Sequence, residues 1–92
     1  MGATNMMIEE EQIVAFLRCP ASGLVDYAVS LANLNWKEAT AIDLCGRKAL
    51  TQERAAEIAG YSVDAVQRWY RSGITKLMQA WAGIWWIEKI LE

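Results

Sequence analysis

Between Thr51 and Leu77 the chain reads TQERAAEIAGYSVDAVQRWYRSGITKL, two helix-forming runs parted only by Gly60-Tyr61-Ser62. So short a connection obliges the two helices to pack on each other. Gly60 stands where a helix closes with a left-handed residue, a conformation glycine takes without a Cβ clash. Thr51 and Ser62 stand where a hydroxyl accepts from the free N–H groups of a first turn. Asp64 then puts a negative charge at the positive end of the second helix's dipole. The first helix is expected to run from Gln52 to about Ala59 and the second to start after Ser62. Helices this close need a small residue where they cross and a branched apolar residue to lock the pair. Ala56 and Val66 occupy those places, and Ala55, Ala59, Tyr61, Val63, Trp69 and Tyr70 are expected to face inward. The register of Gln52, Ala56, Gly60 and Val66 is that of a helix-turn-helix unit.

The remainder of the chain also reads as helix. Ile8 to Arg18 has a broad apolar face, with Ile8, Gln12, Ala15 and Phe16 flanking Ile13, Val14 and Leu17, after an acidic first turn. The run Cys19-Pro20-Ala21-Ser22-Gly23 stops it. Leu24, Ala28, Leu31 and Leu34 recur near helical spacing. Asn35 with Glu38 three residues later forms a capping box, and the next helix, Trp36 to Arg47, is expected to turn Ala39, Ile42 and Leu44 inward. The tail from Thr75 to Glu92 shows Leu77, Met78, Trp81, Ile84, Trp85, Ile87, Ile90 and Leu91 as one apolar face, with Gly73 and Gly83 as points where it can bend. No strand alternation is sustained and no repeat appears. The expected fold is therefore all-α: a single small domain, 1–92, of five to six helices. An N-terminal helical pair (1–33) precedes the central helix-turn-helix (34–77) and a Trp-rich C-terminal helix (78–92).

Composition narrows the function. With no histidine in the chain, the usual zinc sets and histidine-based catalysis are out. No Gly-rich phosphate loop or metal cluster is visible either. No enzyme, metal or cofactor is therefore expected, and Glu9-Glu10-Glu11 is most simply an acidic helix start. Cys19 and Cys45 are too few for a disulfide framework and read as small apolar residues, which with the lack of a signal sequence points to the cytoplasm. Met1-Gly2 departs from the myristoylation pattern at Met6, and no stretch approaches a transmembrane helix, so no membrane is expected as partner. Net charge is −2 but is unevenly spread. Residues 1–35 hold one arginine against four acids, residues 36–79 seven basic against five acidic side chains, and residues 80–92 one lysine against two acids. The basic part is the part that holds the helix-turn-helix.

The segment Leu34 to Leu77, LNWKEATAIDLCGRKALTQERAAEIAGYSVDAVQRWYRSGITKL, resembles the fourth conserved region of bacterial sigma factors. It is similar also to the helix-turn-helix of LuxR-type regulators and of small phage-encoded regulators. The residues that match are Leu34, Ile42, Leu44, Leu50-Thr51-Gln52-Glu53, Ala55-Ala56, Ile58-Ala59-Gly60, Ser62, Val66, Arg68, Ile74 and Lys76-Leu77. Trp69-Tyr70 is bulkier than the pattern, and Gly73 falls where such helices run on. The polymerase-binding and other promoter-binding regions of a whole sigma factor are absent from the sequence. The resemblance implies a transcriptional regulator of bacterial or phage type that binds double-stranded DNA, with RNA polymerase or another protein as a further partner. It implies that the helix after Ser62 reads the major groove, presenting Ser62, Asp64, Ala65, Gln67, Arg68 and Arg71. Arg68 suits guanine and Gln67 adenine, while Asp64 either accepts from cytosine or serves the dipole. Arg47, Thr51, Gln52 and Arg54 would stand beside phosphates, and Lys76 farther along. The plainer reading of Arg68 is a surface ion pair with Asp64 one turn back.

Trp85 and Trp86 lie about 100° apart on a helix and cannot share one core. Trp81, Ile84, Trp85, Trp86 and Ile90 are accordingly read as a surface for self-association, since tryptophan is enriched at interfaces. A dimer also suits a small DNA reader that binds paired half-sites. The rival reading is a helical interaction or assembly module, such as an adaptor or the DNA-recognition subunit of a phage packaging machine, favoured by the pI near 5.1 and the aromatic tail.

Overall fold

Glutamine 12 ties the two ends of the fold together. Its side-chain oxygen accepts from the Glu9 N–H at 2.8 Å, capping the first helix, while its amide nitrogen donates to the Leu91 carbonyl at 3.0 Å in the last. Between these points a computed structural model describes residues 8–92. They form α1 (Glu10–Leu17), α2 (Ser22–Ser30), α3 (Trp36–Ala41), α4 (Gln52–Ala59), α5 (Val63–Trp81) and α6 (Trp85–Leu91), with no strand among the described residues. The fold is all-α as expected. Residues 1–7, which include the Met1-Gly2 and Met6 positions weighed for myristoylation and the start of any leader, lie outside the described residues.

Two apolar clusters share α5. The larger gathers Ile13, Phe16 and Leu17 of α1, Val25 and Ala28 of α2, Ile42, the second half of α5 (Ile74, Leu77, Trp81) and Ile87 of α6. The smaller joins Ala41, Leu44 and Cys45 to Ala55 and Ala56 of α4 and Val66 of α5, and Tyr70 packs on both. Burial pushes the Cys45 thiol up, which keeps it a neutral apolar side chain rather than a nucleophile.

Several faces differ from the pattern read in the sequence. The helix from Trp36 does not stay regular: it widens into a π-helical segment, Ile42–Arg47, that ends with Lys48 N–H donating to the Asp43 carbonyl at 2.9 Å. A wider turn rotates the residues before it relative to those after it. Ala39 is exposed, and Glu38, Ala41 and Ile42 share the inward face at i, i+3 and i+4 spacing. In α2, which starts at Ser22, Val25 and Ala28 pack into the larger cluster at i, i+3 spacing, and Leu24 is left exposed. Helix α5 runs 19 residues, past Leu77 to Trp81, so neither Gly73 nor Leu77 ends it. The bend comes only at Gly83, with φ of 84°.

Helix α3 crosses α5 at two closely made contacts. At Gly73 the side chain of Ile42 lies so near that an added Cβ would stand 2.7 Å from its Cγ1 and 3.0 Å from its Cδ1. Beside it the buried carboxylate of Glu38 accepts from the Lys76 ammonium at 2.8 Å, from the Ser72 hydroxyl and from the Asn35 N–H at 3.0 Å. Burial alone would raise its pKa, but the bonds from Lys76, Ser72 and Asn35 outweigh this and hold the carboxyl below the usual range.

Both contacts of this crossing can be tested. Gly73→Ala gains about 1 kcal/mol in helix preference, but the clash with Ile42 costs about 1–3 kcal/mol. A net loss of stability is expected in urea melts. For Glu38 the folded carboxyl is the stronger acid, so its contribution is present above the ordinary value of 4.5 and is lost as pH falls through the lowered one. Glu38→Gln should cost about 1–3 kcal/mol at neutral pH and flatten the fall in stability as pH drops below the ordinary value of 4.5.

Candidate nucleic-acid interface

Helix α4 and the first half of α5 are held by local chemistry at three points. The Thr51 hydroxyl accepts from the Arg54 N–H at 3.1 Å and starts α4. Gly60, at φ of 77°, closes it, and the N–H groups of Gly60 and Tyr61 both reach the Ala56 carbonyl, at 2.9 and 3.1 Å. The Ser62 hydroxyl then accepts from the Ala65 N–H at 3.1 Å and starts α5. Ala55, Ala56 and Val66 close the inner side, as their spacing requires. Val63, expected inward, is 37% exposed, because the first turn of α5 projects beyond the smaller cluster.

Asp64, Gln67, Arg68 and Arg71 lie on the exposed side of α5, away from Val66, Gly73 and Leu77. Arg68 and Arg71 have no carboxylate within ion-pair distance among the described residues, and the Asp64–Arg68 pair is not formed. Gln52, at the start of α4, shares a cleft of about 230 Å³ with Gln67, Tyr70, Arg71, Thr75 and Glu10. Burial, with the Glu10 and Cys45 side chains nearby, pushes the Tyr70 hydroxyl up against the opposing influence of Arg18, so it meets this cleft as a neutral hydroxyl.

Other residues singled out in the sequence stand elsewhere. Ala65 is 8% exposed and packs inward beside Val66, one position round from the outer stripe, so it offers no surface to a ligand. Arg47 is not free: its guanidinium pairs with Asp26 and reaches the Ser22 carbonyl at 3.5 Å, binding the end of the π segment to α2. Arg54 is exposed but paired with Glu57 at 3.0 Å. Lys76 is engaged by Glu38.

The tail divides in the same way. Trp81 is fully buried, donates its indole N–H to the Ala28 carbonyl at 2.8 Å and meets Phe16 edge to face at 5.3 Å, so it belongs to the core and not to an interface. Ile84 is half-buried, and Trp86 stacks on Tyr27 at 6.1 Å. Only Trp85, 77% exposed, and Ile90, 47% exposed, remain open of the five residues read as a self-association surface.

The structure also gathers residues that the sequence does not bring together. Trp36, Tyr61 and Trp69 form a ring cluster, with centroids 4.7 Å apart for Tyr61–Trp69 and 6.1 Å for the two pairs made by Trp36. Lys37 Nζ lies 5.6 Å from the centroids of both Trp36 and Trp69. Trp36 and Trp69 lie on different helices, and the only local signal is a tryptophan in the first turn of α3, where a helix usually shows polar residues.

No protein-family model, no curated protein and no solved structure matches this chain. Among the described residues no helix is long and apolar enough to cross a membrane.

The division of the tail sets a contrast between its tryptophans. Trp81→Phe should cost about 2–4 kcal/mol in thermal or urea melts, because it empties volume in the core and removes the indole bond to the Ala28 carbonyl, which keeps only the Leu31 N–H. Trp85→Ala should leave the single chain within about 0.5 kcal/mol of the parent in melts at low protein concentration, as surface changes do.

Proposed function

We propose that the chain is a helix-turn-helix DNA-binding protein that regulates transcription, similar in kind to the fourth conserved region of sigma factors. The observation that supports it most directly is the outer side of α5. Arg68 and Arg71 stand there without carboxylate partners among the described residues, next to Gln67, with Gln52 across the shared cleft. An arginine that no carboxylate neutralises retains both its charge and its bidentate fork for a phosphate or a guanine edge. A lone helix makes few contacts, and a second copy would double them. Trp85 offers an apolar surface for such a copy, and Ile90, about 140° round the helix, opens on a groove of about 740 Å³ lined also by Ala15, Phe16, Cys19 and Leu91, with Glu9, Glu11 and Gln12 at its polar side.

The test is fluorescence anisotropy with mixed-sequence duplex DNA across a salt series. Affinity should fall linearly with salt on logarithmic axes, the mark of counterion release. Arg68→Ala combined with Arg71→Ala should lower affinity by about 10- to 100-fold and shallow the slope by up to about 2, with the helical circular dichroism unchanged. A folded protein that binds no duplex at low salt would overturn the reading in favour of an assembly module.

A further inference from the structure

We propose that Trp36 and Lys37 form a second contact for duplex DNA, on the opposite side of α5 from Gln52, where Lys37 meets a phosphate and the Trp36 ring packs on the neighbouring sugar. This rests on the DNA-binding reading above.

Positive charge left without a carboxylate partner gathers beside α5. Of nine basic residues, Arg47, Lys48, Arg54 and Lys76 are held by Asp26, Asp43, Glu57 and Glu38. Arg18 is bonded to the carbonyls of Gly46 and Cys45, at 2.9 and 3.4 Å. Among the described residues the four without such a partner are Lys37, Arg68, Arg71 and Lys89, and three of these belong to the start of α3 and the first half of α5. Lys37 is held by ring faces, not by a carboxylate. A cation–π contact fixes an ammonium in place without neutralising it, so its charge stays available to an anion. Lys76, closed on Glu38, shows the opposite case.

Tyr61 directly precedes the Ser62 cap and packs on Trp69, which lies about 100° round α5 from Arg68, so the ring cluster borders the outer stripe of α5. Gln67 and Trp69 are about 200° apart around the helix. The Gln52–Gln67 cleft and the Trp36–Lys37 cluster therefore flank α5 on opposite sides. A helix lying in a major groove has a phosphate strand on each side. The start of α4 meets one of them and the start of α3 the other. Trp36 is 60% exposed and Tyr61 45% exposed, leaving apolar surface beside the ammonium on which a deoxyribose can rest.

The experiment uses the whole chain and the same duplex salt series, with Lys37→Gln, Trp36→Ala and, as a control for charge removal elsewhere, Lys89→Gln. Lys37→Gln should lower affinity about fivefold near 0.15 M salt and shallow the slope by about 1. Trp36→Ala should weaken binding with the slope unchanged, and Lys89→Gln should match the parent. All must keep the parent's helical spectrum; Lys37 is exposed, so its variant tests the contact even if Trp36→Ala unfolds. If Lys37→Gln binds like the parent while the Arg68 and Arg71 variant is weakened, the α3 contact is overturned and the DNA reading stands. If the parent binds no duplex at low salt, both fall. If Trp36→Ala and Lys37→Gln keep duplex binding but lose a Glu-rich peptide that the parent captures, the patch belongs to an acidic protein segment and its DNA assignment is overturned.

Discussion

The crossing of α3 on α5 sets the geometry of everything around it. At Gly73 the absent side chain lets Ile42 sit against the backbone of α5, and the buried Glu38 carboxylate fixes the rotation of one helix on the other through Ser72 and Lys76. The two contacts differ in kind. The first is steric and sets how close the helices lie; the second is directional and sets their register. A buried carboxylate is expensive unless its oxygens are satisfied, so Glu38 tolerates few other arrangements. With α3 fixed in this way, Trp36 is carried onto Trp69, and the π segment is carried onto α4, whose alanines complete the smaller cluster.

Net charge proves a poor guide to where this chain can attract an anion. The protein is acidic as a whole, at −2, and the seven of its nine basic residues that fall between positions 36 and 79 are interleaved with five acids. Folding sorts them. Arg47 is drawn to Asp26, 21 positions away, and Lys76 to Glu38, 38 positions away. These pairs remove charge from the field at the surface, while Lys37, Arg68 and Arg71 keep theirs. The fold thus turns a mild excess along the chain into a local one, which is the quantity an approaching polyanion senses. Asp64 remains as a negative charge on the same stripe, where it also complements the dipole of α5.

The features legible in the sequence are chiefly those that local chemistry decides. The caps at Asn35, Thr51 and Ser62 and the left-handed Gly60 fall where expected, because each depends on residues within four positions of one another. The faces of helices are less legible. Glu38 faces inward where Ala39 is expected to, because its carboxylate is satisfied by Ser72 and Lys76, far along the chain, and nothing in the spacing of apolar residues announces the π segment that follows. Trp81 and Trp85 are alike as residues of an aromatic tail, yet one is core and the other surface, a distinction that depends on the Ala28 carbonyl 53 positions away. Arg47 misleads for the same reason: whether a cation is free is decided by partners distant in the chain.

Helix α5 has one further consequence. At 19 residues it is about 28 Å long, and it contributes Val66 to the smaller cluster and Ile74, Leu77 and Trp81 to the larger. Neither cluster can melt without disturbing the helix on which the other is built, so the two ends of the protein share one unfolding transition. A ligand that holds the first half of α5 in place therefore stabilises α1, α2 and α6 as well by simple mass action. Occupancy at one end becomes resistance to unfolding at the other, with no change of shape in between.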